Sequence, residues 1–142
     1  VAEGELMKLN NLKEMIEDYE RYTQEVVNLD GFYFDKEDGS FHDDYYTYFK
    51  FFDKQGFLFW CVKEIEGQKY ICLLQTYGFF KAMAPYVKEV MRLNGIKYVL
   101  TFTTRNPRAH MRKWHMQRLE TEDYEYRGKK YYALIATYDD VH

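Results

Sequence analysis

Lys69-Tyr-Ile-Cys-Leu-Leu-Gln75, the glycine at Gly78 and the run from Phe79 to Leu119 decide how this chain folds. The first segment is short, apolar and rich in strand-forming residues. From Phe79 to Leu93 the apolar positions are Phe80, Met83, Ala84, Val87, Val90, Met91 and Leu93, close to a 3.6-residue period, which predicts a helix with one buried face. Asn94-Gly95 ends it, because glycine accepts the left-handed dihedrals of a helix C-terminus. Ile96 to Thr103 reads as a second buried strand, and Asn106-Pro107 opens a second helix. A β-α-β-α order of this kind predicts parallel pairing with a right-handed crossover. It also sets the N-terminus of the first helix at a strand end, where an anionic group is favoured.

Upstream, Leu9, Leu12, Met15, Ile16, Tyr19, Tyr22, Val26 and Leu29 recur at helical spacing, predicting a helix over Glu5 to Leu29. Asn28 to Phe41, punctuated by Gly31 and Gly39 and crowded with acids, reads as a long loop or short helical turn. Tyr45 to Phe52, Phe57 to Glu66 and the Lys69 strand form an antiparallel meander, with turns at Asp53 to Gly56 and Glu66 to Gln68. Asp123 to Arg127 and Lys130 to Tyr138 flank Arg127-Gly128-Lys129 and predict a closing hairpin. The expectation is one mixed α/β (α+β) domain over residues 1–142, with a twisted mixed sheet.

Aromatic residues make up 20% of the 142, which fits a sheet with a large core and argues against disorder. No apolar run approaches the ~20 residues needed to span a bilayer, and the first residues lack a signal-peptide pattern. Cys61 and Cys72 both fall in strand patterns without a ligand partner at short spacing, so they read as buried reduced thiols of a cytoplasmic protein, with no metal expected. His110 and His115 are five apart on the second helix and do not share a face. Charge is unevenly spread. Residues 1–66 carry 16 acidic and 7 basic side chains, whereas residues 67–142 carry 7 acidic and 13 basic. The second half therefore suits a phosphate-bearing ligand or an acidic partner. The basic run Arg105, Arg108, Arg112, Lys113, Arg118 reads as a solvated face, a phosphate site or a nucleic-acid contact; net acidity and the lack of a named motif set nucleic acid aside. Asp30, Asp35, Glu37, Asp38, Asp43 and Asp44 form an acidic stretch that reads as exposed loop or as a lip attracting a cationic amine.

The element order resembles the GCN5-related N-acetyltransferase (GNAT) fold from about Glu5 to Tyr138, and two motifs carry the resemblance. Gln75-Thr-Tyr-Gly78-Phe-Phe80 stands where that family has Gln/Arg-x-x-Gly-x-Gly/Ala, the turn whose backbone amides hold the pyrophosphate of acetyl-CoA; Gln75 and Gly78 match, and Phe80 replaces a small residue. Asn106-Pro-Arg-Ala109 followed by Trp114 stands where the family has Asn-x-x-Ala-x-x-x-Tyr, so Trp114 occupies the place of the tyrosine that reprotonates the CoA thiolate, one residue late. The resemblance implies an acetyl-CoA-dependent transferase acting on a primary amine or a protein acceptor. It places the cofactor against Gln75, Gly78, Phe79, Phe80, Asn106 and Trp114. By strand order Glu64, next to Glu66, becomes the candidate base, although charges flanking a glycine turn are commonly just solvated. Tyr124 and Tyr126 are the candidate substitutes for the missing acid. Because both departures fall on functional positions, the alternative is a GNAT-fold protein without catalysis that binds a macromolecule, a layout similar to small phage-encoded GNAT-like proteins.

Overall fold

The computed structural model describes residues 3–142. Helix α1 runs Glu3–Thr23, shorter than the apolar period suggests. It stops where Gln24 turns to a positive φ of 60° and the Thr23 hydroxyl donates back to the Tyr19 carbonyl, 2.8 Å away. The acidic stretch expected to be a loop instead contains a small hairpin, β1 (Tyr33–Asp35) and β2 (Ser40–His42). Its turn closes on Asx contacts, Asp35 accepting from the Glu37 amide and Asp38 from the Ser40 amide. Sequence reading missed it because three-residue strands leave no measurable period.

Next come β3 (Tyr48–Phe52), β4 (Gly56–Ile65) and β5 (Gln68–Gly78), the antiparallel meander that the alternation predicts. Helix α2 (Phe80–Asn94) crosses over and ends on Gly95 in the left-handed region, φ 64°. Strand β6 (Tyr98–Thr103) returns parallel to β5, as expected of the crossover unit. Helix α3 is only Arg108–Lys113, because His115 at φ 53° breaks it, and the chain then enters β7 (Gln117–Arg118). A closing hairpin of β8 (Tyr124–Tyr126) and β9 (Lys129–Thr137) matches the glycine-turn reading.

The nine strands form one mixed sheet in the order β1-β2-β3-β4-β5-β6-β9-β7, with β8 on the side of β9. Two apolar layers sandwich it. Helix α2 lies on one face, where Val87 and Met91 meet Leu58, Ile71, Val99 and Leu134. Helix α1 covers only part of the other, through Tyr19 and its neighbours against Phe49, Phe57 and Phe59. Cys61 and Cys72 are free and sit opposite one another across β4 and β5; Cys72 is buried and Cys61 only half-buried. No helix among the described residues is long and apolar enough to cross a membrane.

Candidate functional site at the β5–β6 split

Strands β5 and β6 pair in parallel from Tyr70↔Tyr98 to Leu73↔Thr101 and no further. At that last pair the Thr101 hydroxyl donates to the Leu73 carbonyl, 2.9 Å away. Immediately beyond, β5 bulges: Leu74 and Gln75 together oppose Phe59, between the pairs Trp60↔Leu73 and Leu58↔Thr76. A bulge of this type bends its strand and takes one residue out of the ladder. The C-terminal half of β5 therefore stays with β4 and departs from β6, and a cavity of about 530 Å³ lies between that half of β5 and the segment that follows β6.

Its walls come from four elements. Tyr19 and Tyr22 of α1 roof it, Thr76, Tyr77 and Gly78 supply one side, Phe80 and Met83 open α2, and Arg105 through Trp114 supply the other side. Gly78 has a structural reason to be glycine. At φ 106° a Cβ there would meet the Gln55 carbonyl at 1.9 Å, and one on Gly56 would meet the Tyr77 carbonyl at 2.0 Å, so the two backbones touch. That contact also engages the Phe79 amide, which donates to the Gln55 carbonyl at 2.9 Å. Helix α2 begins without a side-chain cap and without an acidic residue in its first turn, so the positive end of its dipole is uncompensated.

Electrostatics add to this. Arg105 and Lys113 both line the cavity, and neither makes an ion pair among the described residues; the Arg105 guanidinium lies 6.0 Å from the centre of the Tyr22 ring. His110 sits among them, and burial, with Arg105 and Lys113 adding to it, lowers its pKa to about 4. Its ring is neutral at pH 7, and the cavity keeps two cations with no counter-charge. The one carboxylate in the wall, Asp18, is occupied: it accepts from the Tyr77 hydroxyl and from Arg21, which hold its carboxyl below the usual range. A small annex of the cavity brings in Glu25, which accepts the Tyr19 hydroxyl at 2.9 Å.

Of the residues singled out in sequence, Gly78, Phe80, Asn106 and Trp114 gather at this cavity. Phe80 is turned edge-on to Trp114 with ring centres 4.5 Å apart, and Trp114 itself is buried in the α2-side core. Asn106 lies two residues before α3, its side-chain oxygen accepting the Arg108 amide. Gln75 points elsewhere, donating to the Val26 carbonyl at 3.3 Å, which fastens the segment after α1 to the bulge. Glu64 is a correction. It lies at the opposite end of β4 from Gly56, which pairs with Gly78; eight residues of strand put it roughly 26 Å away. Tyr124 and Tyr126 do not line the cavity either: Tyr124 stacks on Tyr131 and Tyr126 lies against Arg127 on the closing hairpin. Sequence reasoning missed Tyr19, Tyr22 and Glu25, because the periodicity of α1 marks its tyrosines only as a buried stripe.

A second polar cluster lies at the other end of the sheet. Asp35, Asp38 and His42 bring possible metal-ligating atoms within 4.8 Å of one another. The His42 ring is buried, with Nδ1 2.6 Å from the Asp43 carbonyl oxygen and Nε2 2.9 Å from Asp35 Oδ2. Both partners, the Asp43 carbonyl first and then Asp35, are acceptors that favour the protonated ring and raise its pKa; a metal at Nε2 would have to compete with that proton. No protein-family model matches this chain, and among curated proteins no relative is found.

Proposed function

We propose that this chain is a GNAT-like protein that takes acetyl-CoA into the β5–β6 split and passes the acetyl group to a primary amine. The observation that supports it is the split itself: parallel pairing ends at Leu73↔Thr101, a bulge follows, and the opening leads to unpaired cations beside a helix N-terminus. The thioester arm would lie between the separated strands, with its phosphates toward the start of α2, Arg105 and Lys113. In the transfer, the amine nitrogen attacks the thioester carbonyl carbon, the carbon–sulfur bond breaks, the amine gives up a proton and the departing thiolate gains one. The carbonyl oxygen, negative in the tetrahedral intermediate, would need a backbone N–H, and the bulged Leu74–Gln75 segment is where the ladder leaves one.

One observation favours the second reading, a GNAT-fold module that binds without transfer. Trp114 carries no acidic proton and is buried, while Tyr19, one of the phenols in the cavity wall, is pushed well above its ordinary pKa by burial and by Glu25. A phenol held so firmly is a poor donor to a thiolate.

Thermal unfolding with acetyl-CoA tests the binding. A ligand that binds only the folded chain stabilises it by about 2.7 kcal/mol at 100 times its dissociation constant. A rise in midpoint that disappears in R105Q/K113Q is the expected result, and no rise at millimolar acetyl-CoA overturns the proposal. Release of free CoA thiol with spermidine or a lysine peptide then separates the two readings: turnover supports the transferase, and binding without turnover supports the module.

A further inference from the structure

Among the described residues, no helix lies on part of the sheet face on which α1 packs. Helix α1 packs on the Phe57–Phe59 part of β4 and on Tyr77, and α2 lies on the opposite face. What remains bare is the stretch of β4, β5, β6, β9 and β8 on the α1 side, beyond the end of that helix. Strand alternation and register decide what it shows. Tyr70 pairs with Tyr98 across β5 and β6, Phe102 with Ala133 across β6 and β9, and Tyr124 with Tyr131 across the closing hairpin, all on this side.

The rings form a band. Tyr70 and Tyr98 stack at 5.6 Å, Phe102 meets Tyr124 edge-on at 5.3 Å, and Tyr124 stacks on Tyr131 at 4.8 Å. They shield the shorter side chains beneath them: Cys72, Leu100 and Ala133 are 1%, 4% and 0% exposed, although no helix among the described residues packs on them. The rings are thus the outer surface, with Tyr124 44% and Tyr126 55% exposed.

Charge is sorted across the sheet. Lys63 and Lys129 point to the aromatic side, paired in register with Tyr70 and Tyr126. Only two carboxylates occur in these strands beyond Trp60, Glu64 and Glu125, and both alternate to the other face. Lys63 sits within the band, its ammonium 5.9 Å from the centre of the Phe102 ring and in no ion pair among the described residues, and Arg127 stands at the rim over Tyr126. Of the rim acids, Glu25 is engaged by the Tyr19 hydroxyl and Glu66 lies in the β4–β5 turn. The acidity of the chain as a whole, −3, conceals a face that is locally cationic.

We propose that this face binds single-stranded nucleic acid. A band of aromatic rings on a sheet face accepts unstacked bases on its outer surfaces whatever their identity, and unpaired cations among the rings meet the phosphates. A protein partner would want such a patch free of charge at its centre, where this one carries Lys63. A duplex would leave the rings unused, since its bases are already stacked.

The test is fluorescence anisotropy of the full chain with a labelled 15-nucleotide single strand and with the corresponding duplex, over a salt series. The single strand should bind at least tenfold more tightly than the duplex. Its log affinity should fall with log salt at a slope of about −0.7 for each phosphate contacted, so roughly −2 for Lys63, Lys129 and Arg127 together. Tyr98→Ala should weaken binding about tenfold. Lys63→Gln, an exposed change that leaves the core intact, should lower the slope by about 0.7, and Lys130→Gln on the opposite face should change neither. Equal affinity for strand and duplex, no binding at tens of micromolar, or indifference to both Tyr98→Ala and Lys63→Gln would overturn the proposal. So would a concentration-dependent dimer abolished by the same two variants, which would assign the face to a second copy of the chain.

Discussion

Two histidines near opposite ends of the sheet have their pKa values shifted in opposite directions. His42, between β1 and β2 and the loop that follows, has an acceptor at each ring nitrogen, and the Asp43 carbonyl and then Asp35 raise its pKa. His110, in the wall of the β5–β6 cavity, is half-buried beside Arg105 and Lys113, and desolvation with those two cations lowers its pKa to about 4. The first is a closed arrangement, in which every charge already has its partner within the chain. The second is open: Arg105 and Lys113 make no ion pair among the described residues, while the carboxylates near them, Asp18 and Glu25, are engaged by Tyr77, Arg21 and Tyr19. Closed ion pairs hold structure, and open ones call for a ligand. This contrast is the physical reason for seeking function at the split rather than at the Asp35–Asp38–His42 cluster, although the cluster has the richer set of metal-ligating groups.

The contrast can be broken most forcefully from below. Trp114 is buried and meets Phe80, so the floor of the open site is part of the core. Trp114→Ala should cost about 3–5 kcal/mol in chemical denaturation, as large-to-small changes in packed cores do. A cost below about 1 kcal/mol would mean that the cavity is a loose surface fold rather than a built site, and the open half of the comparison would lose its standing.

How much of this was legible in the sequence follows from what each feature leaves behind. The crossover unit was, because fifteen residues of α2 with Val87 and Met91 at helical spacing, closed by Gly95, admit no other period. The meander was, because Asp53 to Gly56 and Glu66 to Gln68 mark its turns. The β1–β2 hairpin was not, since its order comes from side-chain contacts to Asp35 and Asp38 rather than from any repeat. The site was half legible. Gly78, Phe80, Asn106 and Trp114 could be picked out because they lie in one continuous unit. The roof from α1 could not, because it depends on where α1 lands on the sheet. Glu64 went wrong for a related reason: adjacency of strands says which elements are neighbours, but not at which end a side chain lies.

The acid arm of stability sharpens the comparison next. His110 has a folded pKa of about 4, below the ~6.5 of an unfolded histidine. Between those values the unfolded chain binds the proton and the folded chain refuses it, so stability falls as the pH drops from about 6.5 to about 4. The loss should be at most about 3 kcal/mol, and less to the extent that water reaches the ring. Urea denaturation across that range measures it, and His110→Asn should flatten it. A bound polyanion should flatten it too, by supplying the missing counter-charge. If the wild-type and His110→Asn curves run parallel, His110 is not held neutral and the open site is not as electropositive as its geometry implies.

His42 should give the smallest effect, of the opposite sign. Its folded pKa is raised, so its contribution is complete below about 6.5, where the unfolded histidine is also protonated, and is lost as the pH climbs through the folded value. Asp35 sets the other limit: its pKa is lowered, first by the bond to His42, so its contribution is present above the usual carboxylate range and is lost only in acid. The pair is therefore complete in the mildly acidic window where His110 has begun to cost stability, and the two histidines tilt the pH profile against each other. Asp35→Asn separates them. An amide gives no charge to the ring and can turn an N–H toward it, so the alkaline loss should vanish while the acid loss from His110 remains. Proton NMR of the His42 ring in the folded chain checks this directly, since acceptors at 2.6 and 2.9 Å should keep the ring protonated to a higher pH than an unfolded histidine. A ring that titrates near 6.5 would place a single proton there, leave Asp35 without its donor, and turn the closed cluster into one able to accept a metal at Nε2.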